Sequence, residues 1–77
     1  MNEVKTVGHE HQGHKFDVHV EHRPAGYIYF VDIHLPGAAL LQIHSGDDIY
    51  RDADSAHFDA RLRAWEIIDG HVNAAAQ

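Results

Sequence analysis

The chain has no cysteine among its 77 residues. This absence excludes disulfide bonds, thiolate ligands for a metal, and catalysis by a thiol. Serine is also scarce: Ser45 and Ser55 are the only two, and neither lies in a Gly-x-Ser-x-Gly nucleophile motif. No Gly-rich phosphate-binding loop is present. The sequence therefore predicts that the protein is not an enzyme.

Positive charge is scarce as well, with 6 Lys and Arg against 12 Asp and Glu and a formal net charge of −6. This is the wrong sign for gripping phosphates, so direct binding to nucleic acid is not expected, and a basic protein partner is favoured. No apolar run approaches the ~18 residues of a membrane span. We expect an acidic, soluble, cytoplasmic protein that makes no contact with membranes.

A chain of this length buries only a small core, since domains of ~60 residues bury only ~60% of their unfolded surface. Its 44% of hydrophobic and 23% of charged residues are typical of globular proteins. One folded domain is therefore expected. Self-association is a common way for such small domains to bury more surface, which predicts a homodimer.

The elements of this domain follow from hydrophobic periodicity. Residues 1–14 show neither the helical nor the strand periodicity of apolar residues, and they are predicted to form a mobile, His-rich tail. From Lys15 onward, apolar and polar residues alternate as in a half-buried strand, and Pro24 and Gly26 favour a turn before the next strand. A third strand is expected over residues 41–44. The side chains expected on the buried face are Phe16, Val18, Val20, Tyr29, Val31, Ile33, Leu35, Leu41 and Ile43.

A helix is predicted after the strands, beginning at Asp52, whose carboxylate can cap free N–H groups, and ending at Gly70. Helical spacing puts one apolar stripe toward the sheet: Phe58, Leu62, Trp65, Ile68 and Val72. Residues 73–77 are expected to be a disordered tail. The predicted fold class is α+β, a three-stranded antiparallel meander packed against one C-terminal helix, as a single β-β-β-α domain over residues 15–72.

This order of elements, with a helix ending in Trp65-Glu66-Ile67-Ile68-Asp69-Gly70, resembles small bacterial β-β-β-α proteins of uncharacterised role. The chain is also similar, more distantly, to HicB-type antitoxin domains, in which an aromatic strand runs into Asp and Leu-Pro-Gly before a capped, alanine-rich helix. The corresponding residues here are Gly26-Tyr27, Asp32, Leu35-Pro36-Gly37 and 52–56. The resemblance covers residues 15–70 and implies a role in binding a partner.

A strand register follows from keeping every apolar side chain on one face. The predicted pairs are Val20–Tyr29, Val18–Val31 and Phe16–Ile33, then Ile33–Ile43 and Leu35–Leu41. On the outer face this register places Asp17, Asp32 and His44 in one row, where a protonated His44 would offset the repulsion between two carboxylates. We therefore expect mildly acidic conditions to favour the fold.

The outer face also suggests a function. The predicted interaction surface consists of Ile28, Phe30, His19, Asp17 and Asp32. Apolar area on an uncovered face is typical of a binding site. The first hypothesis is thus a non-catalytic protein-interaction module without a cofactor, such as a small acidic binder, an inhibitor or an accessory subunit.

The nine histidines support a competing hypothesis, a histidine-based divalent-metal or pH-responsive binding protein. Imidazole is a suitable ligand for Zn, Ni or Cu. The candidate metal ligands are Asp17, Asp32, His34, His44, His9, His11 and His14. A solvated tail and a solvated outer face are the simpler interpretations of the same residues.

Overall fold

The computed structural model describes residues 3–35, 37 and 40–75 of the chain. Its elements are the strands β1 (Val4–His11), β2 (His14–Arg23), β3 (Gly26–Ile33) and β4 (Leu41–His44), followed by the helix α1 (Ala53–Ala75). The strands form one antiparallel sheet in the order β1-β2-β3-β4, and α1 packs on one face of it, mainly over β2 and β3. The predicted α+β class, an antiparallel sheet with one C-terminal helix, is confirmed.

The sheet has four strands, so the prediction of three strands after a mobile tail was wrong. Strand β1 lies within the segment that was predicted to be the tail, and it pairs with β2 along its whole length. A turn at Gln12 and Gly13, both with positive φ, joins the two strands. The hydrophobic pattern missed β1 because most of its helix-facing side chains are polar: Lys5, Val7, His9 and His11. Met1 and Asn2 lie outside the described residues.

The predicted register between β2 and β3 is confirmed, with Val18 opposite Val31 and Phe16 opposite Ile33. The strands meet in a tight turn that ends at Gly26, whose φ is +146°. A Cβ at Gly26 would lie 2.6 Å from the backbone oxygen of Tyr50. Only glycine fits there, because Tyr27 and Tyr50 pair through backbone hydrogen bonds beside it.

The predicted register between β3 and β4 was wrong by two residues. Ile43 lies opposite Val31, and Leu41 lies opposite Ile33. His44 consequently lies opposite Phe30, and Gln42 takes the place beside Asp32. A shift of two residues leaves every side chain on its predicted face, so the apolar pattern could not exclude it. Pro36, in the connection before β4, lies outside the described residues.

The stripe of α1 that contacts the sheet consists of small residues. Ala56, Ala60, Ala64 and Ile68 repeat every four residues and are fully buried (0% exposed). Their partners in the core are Phe16, Val18, Val20, Tyr29, Val31 and Ile33. The stripe predicted from large apolar residues was wrong at its start, since Phe58 is 57% and Leu62 39% exposed. Trp65 and Val72 pack against the edge of the core.

The two ends of α1 differ in how well the sequence indicated them. Asp52 caps the helix as predicted, because its Oδ1 accepts a hydrogen bond from the Ser55 N–H at 2.7 Å. The end predicted at Gly70 was wrong, since the helix continues to Ala75. Glycine inside a helix costs about 1 kcal/mol, and the burial of Val72 against the core beyond it offsets this. Ala76 and Gln77 lie outside the described residues.

The alanine stripe gives a stability prediction. Ala60→Leu should lower the free energy of unfolding by about 1–3 kcal/mol, because a larger side chain has no room between helix and sheet. Phe58→Ala should change it by less than about 1 kcal/mol, because Phe58 is mainly exposed. Urea denaturation followed by Trp65 fluorescence measures both. A larger loss for Phe58→Ala than for Ala60→Leu would contradict the observed helix face.

Candidate functional site

A chain of side-chain hydrogen bonds crosses the outer face of the sheet, the face opposite α1. It begins at Thr6 on β1, whose Oγ1 lies 2.8 Å from Nδ1 of His19 on β2. His19 Nε2 lies 2.9 Å from Oδ2 of Asp32 on β3, and the other carboxylate oxygen accepts a hydrogen bond from Gln42 on β4 at 2.8 Å. We call these four residues the outer chain. It connects all four strands.

The proton positions in the outer chain follow from its acceptors. An ionised carboxylate only accepts hydrogen bonds, so His19 Nε2 must carry the proton that is donated to Asp32. Nδ1 of a neutral His19 is then an acceptor for the Thr6 hydroxyl. The bond from His19, assisted by Gln42, holds the pKa of Asp32 below its ordinary value despite the opposing effect of burial.

The predicted row of Asp17, Asp32 and His44 is not formed. Asp17 and Asp32 do lie opposite each other, but the third position of the row belongs to Gln42. Nδ1 of His44 instead accepts a hydrogen bond from the Gly46 N–H at 3.0 Å. The prediction that a protonated His44 offsets the two carboxylates was therefore wrong, and His19 contacts Asp32 in its place.

The rest of the outer face surrounds this chain with charged and apolar side chains. His34 Nε2 lies 3.4 Å from Oδ2 of Asp17; the His34 side chain is mainly exposed and that of Asp17 is partly exposed. Ile28 and Phe30 are half-buried on β3. The structure thus places all five residues of the predicted interaction surface on one face: Asp17, His19, Ile28, Phe30 and Asp32.

The candidate metal ligands are divided between the two faces of the sheet. Four of them lie on the outer face: Asp17, Asp32, His34 and His44. The other three, His9, His11 and His14, point toward α1. Within residues 3–35, 37 and 40–75, no three acidic or histidine side chains come together in a group that could hold a metal ion.

The inner histidines form contacts with α1 that the sequence did not reveal. His9 Nε2 lies 2.7 Å from Nε2 of His57, and His11 Nε2 lies 2.7 Å from Oδ1 of Asp69. His14 meets the edge of His71, with ring centroids 5.9 Å apart. We call these six side chains the histidine seam. The Gln12-Gly13 pair is a sequence signal that could have indicated it, because a hairpin turn there places His9 and His11 in a strand beside β2.

Aromatic and cationic groups support the seam. The His9 ring stacks on Phe16 and the His11 ring on Trp65, with centroids 5.3 Å and 5.1 Å apart. The guanidinium of Arg61 lies over the Trp65 ring, 5.3 Å from its centroid. Burial lowers the pKa of His9, and the positive charge of Arg61 lowers it further. Burial is likewise the largest cause that lowers the pKa of His57.

The outer chain predicts that His19, and not His44, lowers the pKa of Asp32. In a carboxyl-carbon NMR titration, the pKa of Asp32 should rise toward its ordinary value in His19→Asn, because the largest favourable contact of the carboxylate is weakened. His44→Asn should leave it unchanged, because His44 lies opposite Phe30. Because the pKa of Asp32 is lowered in the folded state, its contact with His19 stabilises the fold. This stabilisation is complete above the unfolded pKa of ~3.9 and is lost as the pH falls from there through the lower folded pKa. A larger rise of the Asp32 pKa in His44→Asn than in His19→Asn would contradict the observed register and support the one that places His44 opposite Asp32.

None of the described residues forms a helix that is long and apolar enough to cross a membrane. In comparisons with known proteins, no family model, no curated protein and no solved structure matches the chain.

Proposed function

We propose that this protein is a non-catalytic interaction module that binds a basic protein partner on the outer face of its sheet. The observation that carries this proposal is the asymmetry of the fold. Helix α1 covers one face of the sheet, and no other helix or sheet of the described chain forms a layer over the opposite face. That open face holds Ile28 and Phe30 at its centre.

The apolar centre supports binding because burial of such side chains by a partner is favourable, at about 25 cal/mol for each Å² removed from water. Ile28 and Phe30 are next-but-one neighbours on β3, so both point to the same side. Ile28 itself lines a groove with Pro24, Ala25 and Ile49, which Arg23 and Asp47 border, and Ile49 is 55% exposed. The apolar surface therefore extends from the middle of the sheet to one end.

The charge of the surface supports a basic partner. The chain carries a formal net charge of −6, and Asp17 and Asp32 place two carboxylates on the outer face. Arg23, the cation nearest to the apolar groove, forms a hydrogen bond with Glu21 on its own strand. A partner with Lys or Arg around an apolar patch would be attracted over long distances and would bury Ile28 and Phe30 on contact.

The outer chain prepares this face for binding. Its hydrogen bonds hold side chains from four strands in one arrangement. A partner then orders fewer side chains on binding, which lowers the entropic cost of association. The histidine in the chain donates to a carboxylate, so the polar groups beside Phe30 are satisfied before any partner arrives.

The outer chain also contains a hydroxyl, an imidazole and a carboxylate in the order of a nucleophilic triad: Thr6, His19 and Asp32. Triads act on substrates held beside the nucleophile, with donors placed for the developing oxyanion. Neither Thr6 nor His19 lines any of five well-formed pockets on the described residues. We therefore assign these residues to binding. We expect the wild type and His19→Ala to hydrolyse an activated ester at the same rate.

A partner test uses two phenylalanines on opposite sides of the molecule. A photo-crosslinking amino acid at Ile28, introduced in cells of the native host, should give a discrete adduct with a basic protein. Phe30→Glu should weaken binding of that purified partner by at least roughly tenfold, since a charge replaces a central apolar contact. Phe58→Glu, the matched control on the exposed side of α1, should bind as the wild type does.

Three results would contradict the proposal. The first is equal binding by the wild type and Phe30→Glu, with circular dichroism showing that the variant is folded. The second is loss of binding in Phe58→Glu alone. The third is an adduct only with a second copy of the chain, together with a dimer in sedimentation that Phe30→Glu dissociates, which would assign the outer face to the predicted homodimer instead.

A further inference from the structure

Strand β1 is attached to the rest of the molecule in two ways. Its backbone pairs with β2 from Val4 to His11. Its contact with α1, by contrast, depends on long side chains, because the backbone of the helix packs mainly over β2 and β3. The residues of α1 that face this side repeat every four positions: His57, Arg61, Trp65 and Asp69. The histidine seam thus provides the second attachment of β1.

The His9–His57 contact restricts the protonation of both rings. A separation of 2.7 Å between the two Nε2 atoms is a hydrogen bond, so one nitrogen carries a proton and the other offers a lone pair. The bond is compatible with two neutral rings or with one added proton. When both rings are protonated, two N–H groups face each other and the bond is lost.

The charges around the pair make the second proton still less favourable. Lys5 on β1 and Arg61 on α1 are the cations that act on His57, and Asp54 in the first turn of the helix is the opposing anion. Phe16 on β2 contributes an uncharged ring stacked on His9. Two cations against one carboxylate leave the doubly charged pair without adequate compensation.

The other contacts of the seam respond differently to protons. A charged His11 would strengthen its bond with Asp69, which also accepts a hydrogen bond from Gln12. His14 Nδ1 is buried and has no hydrogen-bond partner among the described residues. Double protonation of the His9–His57 pair therefore breaks the contact near His9 and not the bond between His11 and Asp69.

We propose that the His9–His57 pair is a proton-operated latch between β1 and α1, closed while the rings share a hydrogen bond and open when both are protonated. The closed state binds fewer protons than the unfolded chain, so its stability is complete above the unfolded value of ~6.5 and falls as the pH drops below it. An open latch leaves the first half of β1 attached through β2 alone. The latch lies on the opposite side of the sheet from the proposed binding face and does not depend on that function.

The test compares unfolding at pH 7.5 and pH 5 in buffer with EDTA, which prevents trace metal from bridging the rings. The wild-type unfolding constant should increase about tenfold more than in His57→Gln, the factor for one lost side-chain hydrogen bond. Glutamine can still donate to His9 but does not titrate. His34→Gln removes a histidine from the outer face and should retain the wild-type response. Equal pH responses of the wild type and His57→Gln overturn the proposal.

NMR of the wild type provides a measurement that needs no variant. The imidazole nitrogens of His9 and His57 should titrate together below pH 6.5, and the amide signals of Lys5 and Val7 should shift in the same transition. The amide signals near His11 should remain those of a folded strand through this transition. Independent titrations of the two rings, or a transition that releases all of β1 at once, would overturn the latch.

Discussion

The close contact between the alanine stripe of α1 and the centre of the sheet is the constraint on which the other features depend. Alanine adds a single methyl group, so the helix lies near β2 and β3, and tightly packed interiors do not adjust to extra volume. This short distance lets longer side chains beside the stripe reach β1. The 2.7 Å bond between His9 and His57 exists only because the helix lies this close.

The sheet separates two kinds of polar chemistry. The outer chain contains an ionised carboxylate, that of Asp32, which is partly exposed, so that water and neighbouring donors stabilise its charge. The histidine seam lies between helix and sheet, where burial disfavours charge and lowers the pKa of His9 and His57. Strand β1 contributes to both, with Thr6 on one side and His9 on the other. The proposed binding face and the proposed latch therefore share this edge strand.

How much of the structure could be predicted differs from one strand pair to the next. Strand β2 alternates apolar and polar residues, β3 is rich in aromatic and β-branched residues, and a tight turn joins them, so the position of Val18 opposite Val31 followed from the sequence. A longer connection joins β3 to β4, and two registers bury the same side chains. Only hydrogen bonding and packing select the one that puts Gln42, and not His44, beside Asp32.

The sequence by itself determined the α+β class, the β2–β3 pair, the cap at Asp52 and the set of side chains on the outer face, because each of these depends on neighbours close in the chain. The tertiary structure decided that β1 exists, which face of α1 is buried, and that His9 meets His57, 48 positions further on. These features depend on how closely the helix and the sheet pack together, which brings residues distant in the sequence into contact. A stripe of alanines lets the helix pack closely on the sheet, and histidines at inward positions of β1 become contacts only once the helix lies over them.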